Sequence, residues 1–96
     1  MKFPSLETVG KDFNASGAKG LDLPKLKTIG GNFFLEGTGL SALPPSLEHI
    51  GGDVYISSAE PQSLADELIK AKATGILKGN IYLNGLPYHG GPVKLI

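Results

Sequence analysis

Apolar and polar residues alternate in short runs along this chain, and the runs recur at a nearly constant spacing. A glycine precedes each run, and a leucine lies four residues before that glycine in each copy. The glycines are Gly10, Gly30 and Gly51, which lie 20 and 21 residues apart. Alternation of this kind is typical of a half-buried β-strand, and one such strand cannot bury its apolar side alone. The pattern therefore predicts stacked copies of one structural unit.

The alternation also assigns side chains to the two faces of a predicted sheet. The residues predicted to point into the core are Phe13, Ala15, Phe33, Leu35, Val54 and Ile56. The predicted outward column is Asn14, Phe34, Tyr55, Tyr82 and Lys94. Polar residues flank this column: Asp12, Asn32, Asp53 and Asn80 before it, and Ser16, Glu36, Ser57 and Asn84 after it. We expect the Asp and Asn side chains to bond the backbone of their own turns, and the glycine before each strand to adopt a positive φ.

A fourth strand, at about residues 80–83, arrives later than the period requires, because a helical pattern precedes it. Leu64, Leu68 and Ile69 recur at helical spacing, which predicts a helix over residues 62–73. Ser63 is a candidate N-terminal cap, although Pro61 would allow an earlier start, and Gly75 is placed to end the helix. A helical crossover favours parallel pairing of the fourth strand.

The C-terminal residues predict a reversal at Asn84-Gly85, a strong turn dipeptide. A last strand at residues 93–96 would then pair antiparallel and cover the edge of the sheet. The alternative is that the chain stops inside a further repeat. Its 96 residues predict one repeat domain, 1–96, with coils at about 3–22, 23–43 and 44–64.

The run Phe33-x-Leu35-x-x-Thr38-x-Leu40-x-x-Leu43-Pro44-x-x-Leu47 resembles the leucine-rich repeat, in its short bacterial type of about 20 residues. Thr38 stands where that family usually has Asn, and Ala18 and Ala59 take this position in the other copies. The Gly-Gly before the strand is similar to divergent repeats of some bacterial and phage proteins. The resemblance implies an α/β solenoid with a curved, mainly parallel sheet. The exposed concave face of such a sheet is a surface that family members often use to bind proteins. The resemblance implies no particular partner.

The amino-acid composition argues against several classes of partner and binding site. Nine basic and nine acidic residues cancel, which argues against nucleic acid or an anionic membrane as a partner. Cysteine is absent, which excludes a disulfide scaffold and a cysteine-ligated zinc site. Neither a signal peptide nor a membrane-spanning run is visible, so a cytoplasmic protein is the default expectation. A mature secreted fragment would have the same features.

Catalytic and metal-binding patterns are also missing. The chain has no Gly-x-Ser-x-Gly elbow, no cysteine nucleophile and no His-Glu-x-x-His motif. His49 and His89 are too few for a convincing metal site. Glu36 and Asp53 are the carboxylates nearest the outward aromatics, and their outward positions do not predict a shielded glycosidase site. We therefore expect neither an enzyme nor a cofactor.

Phe34, Tyr55 and Tyr82, here called the outer aromatic strip, are the most informative surface feature. With Glu36 and Asp53 at its margins, the strip is predicted to bind a protein or peptide. A cross-strand ladder that stabilises the sheet is a second interpretation, compatible with the first. The leading hypothesis is a non-enzymatic interaction module. The alternative is a structural or self-associating segment of a longer repeat protein, and the sequence is compatible with a homo-oligomer.

Overall fold

The repeated runs form short parallel strands in the computed structural model, which describes residues 2–93. These strands make two mostly parallel sheets, and one helix completes the fold, as the predicted α/β class requires. The elements in chain order are β1 (Thr8–Val9), β2 (Phe13–Asn14), β3 (Thr28–Ile29), β4 (Phe33–Phe34), β5 (His49–Ile50), β6 (Val54–Ile56), α1 (Gln62–Thr74), β7 (Ile81–Leu83) and β8 (Leu86–Tyr88).

The larger sheet has the strand order β2-β4-β6-β7-β8, and its first four strands run parallel. Its register joins the residues that the sequence copies align: Phe13 with Phe33, Phe33 with Val54, and Val54 with Ile81. The predicted inward and outward columns are therefore confirmed for these strands. Phe33, Leu35, Val54 and Ile56 are fully buried, whereas no outward residue beside them is.

The chain also forms a second sheet that the sequence pattern did not predict. Strands β1, β3 and β5 pair in parallel just before the glycines, with Thr8, Thr28 and His49 in one row. A bend at the glycines separates each of these strands from the next strand along the chain. Each of the first three copies therefore contributes one strand to each sheet.

The glycines at the strand entries are required by close packing, and the prediction of a positive φ there is wrong. Gly30, Gly31, Gly51 and Gly52 are not among the residues with positive φ. A Cβ built on Gly52 would overlap Asn32 Oδ1 and lie 2.7 Å from the carbonyl carbon of Gly31. Because only a glycine leaves that space empty, successive copies approach each other backbone to backbone.

The core lies between the two sheets and the helix, and it is open at its N-terminal end. Leu26, Ile29 and Phe33 are fully buried in the second copy. Their counterparts in the first copy, Leu6, Val9 and Phe13, are only half-buried, and so is Phe3 beside them. These four residues are here called the open N-terminal end. The ring of Phe13 stacks on that of Phe33 with centroids 5.5 Å apart.

Helix α1 confirms the predicted span and extends it by one residue at its C-terminal end. It buries Leu64, Ala65, Leu68 and Ala71 against the core. Gly75 ends the helix at φ 89°, in the left-handed conformation expected of a C-terminal cap. The N-terminal cap is Pro61 and not Ser63, whose hydroxyl instead donates to the carbonyl of Ser41 at 2.7 Å.

The chain reverses at Asn84 and Gly85, as predicted, and both residues have positive φ. The strand that follows at once, β8, pairs antiparallel with β7 and covers the edge of the sheet. The predicted cap strand at 93–96 is not this strand: Val93 is outside any strand, and residues 94–96 lie outside the described part of the chain. Pro87 therefore stands beside Tyr82 in the outward column, and Lys94, which was predicted for this column, lies outside the described residues.

Replacing Gly52 by Ala should destabilise the fold by about 2 kcal/mol, because the added methyl group must displace the backbone of the preceding copy. Gly10→Ala is the matched control, since a Cβ at Gly10 meets nothing within 4 Å. The control should change the free energy of unfolding by less than about 0.5 kcal/mol. Urea unfolding followed by circular dichroism measures both. Equal effects of the two substitutions would contradict the packing role of Gly52.

Candidate interaction surface

The outer aromatic strip forms a continuous stack across strands β4, β6 and β7. The ring centroids of Phe34 and Tyr55 are 4.7 Å apart with an angle of 8° between the planes. Those of Tyr55 and Tyr82 are 5.2 Å apart at 15°. All three side chains are half-buried, so the structure brings the predicted aromatics together on the sheet face that points away from the core. Their spacing follows the strand spacing of about 4.8 Å.

Stacking determines which parts of the rings face solvent. Tyr55 has a ring against each of its faces, so its ring edge and hydroxyl remain for contact with another molecule. Tyr82 has Pro87 as its neighbour in the next strand. At the other end, Phe34 pairs with Asn14, an exposed residue whose Oδ1 accepts from the backbone N–H of Ser16. The strip therefore ends on a short polar side chain.

A ladder of side-chain oxygens runs beside the strip at the strand entries. Asp12 Oδ1 accepts from the backbone N–H of Asn32 at 2.8 Å, Asn32 Oδ1 from that of Asp53 at 2.7 Å, and Asp53 Oδ1 from that of Asn80 at 2.7 Å. For Asp12, Asn32 and Asp53 the expectation that the side chain bonds its own turn is therefore wrong, because each of them bonds the next copy. This Asx ladder fixes the strand register two residues before each ring.

The strip has acidic residues at both margins. Asp53 stands two residues before Tyr55, and Glu36 two residues after Phe34, so strand alternation places both on the outward face with the rings. On the Glu36 side, Lys19 Nζ donates to the carbonyl of Gly37 at 2.6 Å. The predicted site residues therefore share one face, with the acids on opposite sides of the rings.

The electrostatic environment of the strip is seen in its central residue. Partial burial and, next, the Asp53 carboxylate raise the pKa of Tyr55 above its ordinary value of 10.0. Tyr82, Asp12 and Glu36 act in the same direction. Because a negative field favours the neutral phenol, Tyr55 keeps its proton and presents an O–H donor.

One buried acidic residue, Glu60, is not indicated by the sequence pattern. Glu60 is fully buried, and its carboxylate accepts from the N–H and the hydroxyl of Ser57, both at 2.7 Å, and from the N–H of Gly39 at 3.2 Å. The sequence alignment assigned the position of Thr38 to Ala59, but Ala59 is exposed, whereas Thr38 and Glu60 are buried. Glu60 ties two copies together, and no local pattern in the sequence marks it.

Other kinds of site find no support in the described residues. Across residues 2–93, no group of three or more His, Asp or Glu side chains is placed to hold a metal ion. In the same part of the chain, no helix has the length and apolar character needed to cross a membrane. Comparisons of the chain with protein-family models, curated proteins and solved structures found no match.

Removing one rung of the Asx ladder should destabilise the fold. Asn32→Ala leaves the N–H of half-buried Asp53 without its partner, and we expect a loss of about 1 kcal/mol in the free energy of unfolding. Asn32→Asp keeps the acceptor and should restore most of the loss in about 1 M salt, which screens the added charge from Asp12 and Asp53. Asn80→Ala removes the last residue of the column and should cost less than about 0.5 kcal/mol. Chemical unfolding measures all three, and an Asp variant as unstable as the Ala variant would refute the ladder.

Proposed function

We propose that this protein is a non-enzymatic interaction module that binds a protein or peptide through the outer aromatic strip. The observation that supports this function is the stack of three half-exposed rings on the sheet face away from the core. Phe33, Val54 and Ile81 fill the opposite face, so burial of the core does not require aromatic residues on the outer side. Tyrosine and phenylalanine on an accessible surface supply rigid contact area, which is why aromatics concentrate at interfaces.

Stacking within the sheet accounts for part of the choice of aromatic residues. A stacked aromatic pair is worth about 1 kcal/mol beyond its buried area. Two such pairs stabilise the parallel strands, but they leave the ring edges and the Tyr55 and Tyr82 hydroxyl groups at the surface. The same rings therefore serve as a ladder and offer a preorganised docking surface, which lowers the entropy lost on binding.

The proposed architecture is a short solenoid of the leucine-rich-repeat type. Its support is the parallel register between copies 20 and 21 residues apart, together with the close backbone approach at the entry glycines. In such an architecture the outer aromatic strip lies on the concave face. Proteins that the sequence resembles often bind other proteins with that face, in agreement with the proposed function.

Selection from a displayed library of random peptides tests this function directly. We expect the wild-type protein to enrich peptides whose binding is lost, by at least about tenfold, in the Phe34→Ser/Tyr55→Ser variant, because aromatic anchors carry most of the energy of an interface. Leu86→Ser is the matched control: it removes an apolar side chain that is 69% exposed and lies outside the strip. Circular dichroism must show that each variant is folded. Peptides that bind the double variant as well as the wild type would refute the proposal.

Self-association is the second candidate function, and the open N-terminal end favours it. Phe3, Leu6, Val9 and Phe13 are half-buried there, and β1 and β2 are sheet edges, whereas β8 covers the other end of the larger sheet. Exposed strand edges promote pairing with another chain.

Sedimentation velocity over a concentration series tests self-association. A dimer that pairs through this end should grow with concentration, and Thr8→Lys should suppress it, because a charge on an edge strand opposes pairing. A monomer at every concentration would exclude this function. A dimer that Thr8→Lys leaves intact would place the contact elsewhere.

A further inference from the structure

The geometry points to one class of partner for the outer aromatic strip: an extended polypeptide segment that carries Arg or Lys side chains. This inference rests on the proposed function, because it names the chemistry of the ligand for the same surface. It follows from how charge is distributed over the molecule, from the free capacity of the acidic groups, and from the shape of the strip.

Charge is segregated on this protein although the whole chain is neutral. The chain has nine basic and nine acidic residues. Strands β2, β4, β6 and β7, with the residues that flank them, place eleven residues outward: Asp12, Asn14, Ser16, Asn32, Phe34, Glu36, Asp53, Tyr55, Asn80, Tyr82 and Asn84. Three of these are acidic and none is basic, and Lys19 Nζ reaches the Glu36 side, where it donates to the carbonyl of Gly37. The strip is therefore an anionic surface on a neutral protein, and it favours a cationic ligand.

The acidic side chains of the strip have carboxylate oxygens that can accept further hydrogen bonds. Asp12 and Asp53 use Oδ1 to accept from the next copy, and within residues 2–93 Oδ2 of each accepts no hydrogen bond. The Glu36 carboxylate also accepts none from the described residues, and it is half-buried, which limits its side-chain freedom. A guanidinium group pairs with two carboxylate oxygens, and an ammonium group needs one. Each of the three groups can therefore take a basic side chain without breaking the ladder.

The positions of the acids match the geometry of an extended chain. Asp12 and Asp53 lie on the entry side of the strip and Glu36 on its exit side, each about 7 Å along the strand from the ring row. Successive side chains of an extended segment point to opposite sides. A segment laid along the stack would thus send its side chains alternately to the two acidic margins, while its backbone crosses the ring edges. The raised pKa of Tyr55 agrees with this geometry, because partial burial raises it first and the Asp53, Asp12 and Glu36 carboxylates act in the same direction.

A short fluorescein-labelled peptide that carries three successive Arg residues between Ala residues is the probe, because successive side chains of an extended segment reach both acidic margins. Fluorescence anisotropy is the measurement. Matched peptides carry Glu or citrulline in place of Arg. We expect the Arg peptide to bind the wild-type protein and to bind more weakly as salt increases. The Glu and citrulline peptides should not bind measurably. Binding of the Arg peptide that is no stronger than that of the citrulline peptide would overturn the inference.

A pair of charge variants separates local recognition from net charge. Asp12→Asn/Glu36→Gln/Asp53→Asn neutralises the margins and keeps an Oδ1 acceptor in the ladder, as natural Asn32 does. Glu7→Gln/Asp22→Asn/Glu48→Gln changes the net charge equally at positions outside the strip. We expect about tenfold weaker binding of the Arg peptide by the first variant, because it loses three partly exposed ion pairs. The second variant should bind within about twofold of wild type, and equal losses in the two would overturn the inference.

The selection from the peptide library distinguishes failure of the basic-ligand inference from failure of the proposed function. Enriched peptides that need Phe34 and Tyr55 but lack Arg and Lys would refute the basic ligand and keep the interaction module. Peptides that are insensitive to the strip would refute both. Enrichment of Arg and Lys at successive positions, lost in the margin variant, is the result that we expect.

Discussion

The fold depends on one contact that is repeated between copies: a side-chain oxygen of one copy accepts from the backbone N–H of the next, in space that a glycine leaves empty. A Cβ on Gly31 would overlap Asp12 Oδ1, one on Gly52 would overlap Asn32 Oδ1, and one on Gly79 would overlap Asp53 Oδ1. Each of these oxygens is the acceptor of a ladder bond. The glycine and the following Asp or Asn therefore form one motif, in which the glycine of each copy accommodates the acceptor of the copy before it.

The aromatic stack is a consequence of this contact. Since the Asx ladder sets the register at the strand entry, the residues two positions later meet directly across the strands, and Phe34, Tyr55 and Tyr82 lie at those positions. Rings in register at the strand spacing stack almost parallel, as the angles of 8° and 15° show. A structural ladder and a binding surface are thus not competing explanations of the strip. The ladder is what preorganises the surface that we propose for binding.

Alternation predicted the inward and outward columns because it is a local property, and the register followed from aligning the copies. The roles of Gly52 and Asn32 were missed because they depend on which atoms of the preceding copy lie against them, and spacing does not reveal that. The position of β8 was missed for a different reason. The turn at Asn84-Gly85 lets the chain pair with β7 immediately. Leu86–Tyr88 therefore forms the edge strand that the sequence pattern predicts at residues 93–96. Glu60 was hidden by a one-residue shift of the turn in the third copy.

Stacking also limits what the rings can recognise. The two faces of Tyr55 are covered, and Tyr82 has Pro87 beside it, so the stack offers a ligand mainly ring edges, which discriminate poorly between apolar groups. Selectivity must then come from the polar groups around the rings. On the larger sheet those groups are amides, hydroxyls and three acids, and the acids are the ones that carry charge. For this reason the composition of the margins, more than the rings themselves, determines the class of partner that such a surface selects.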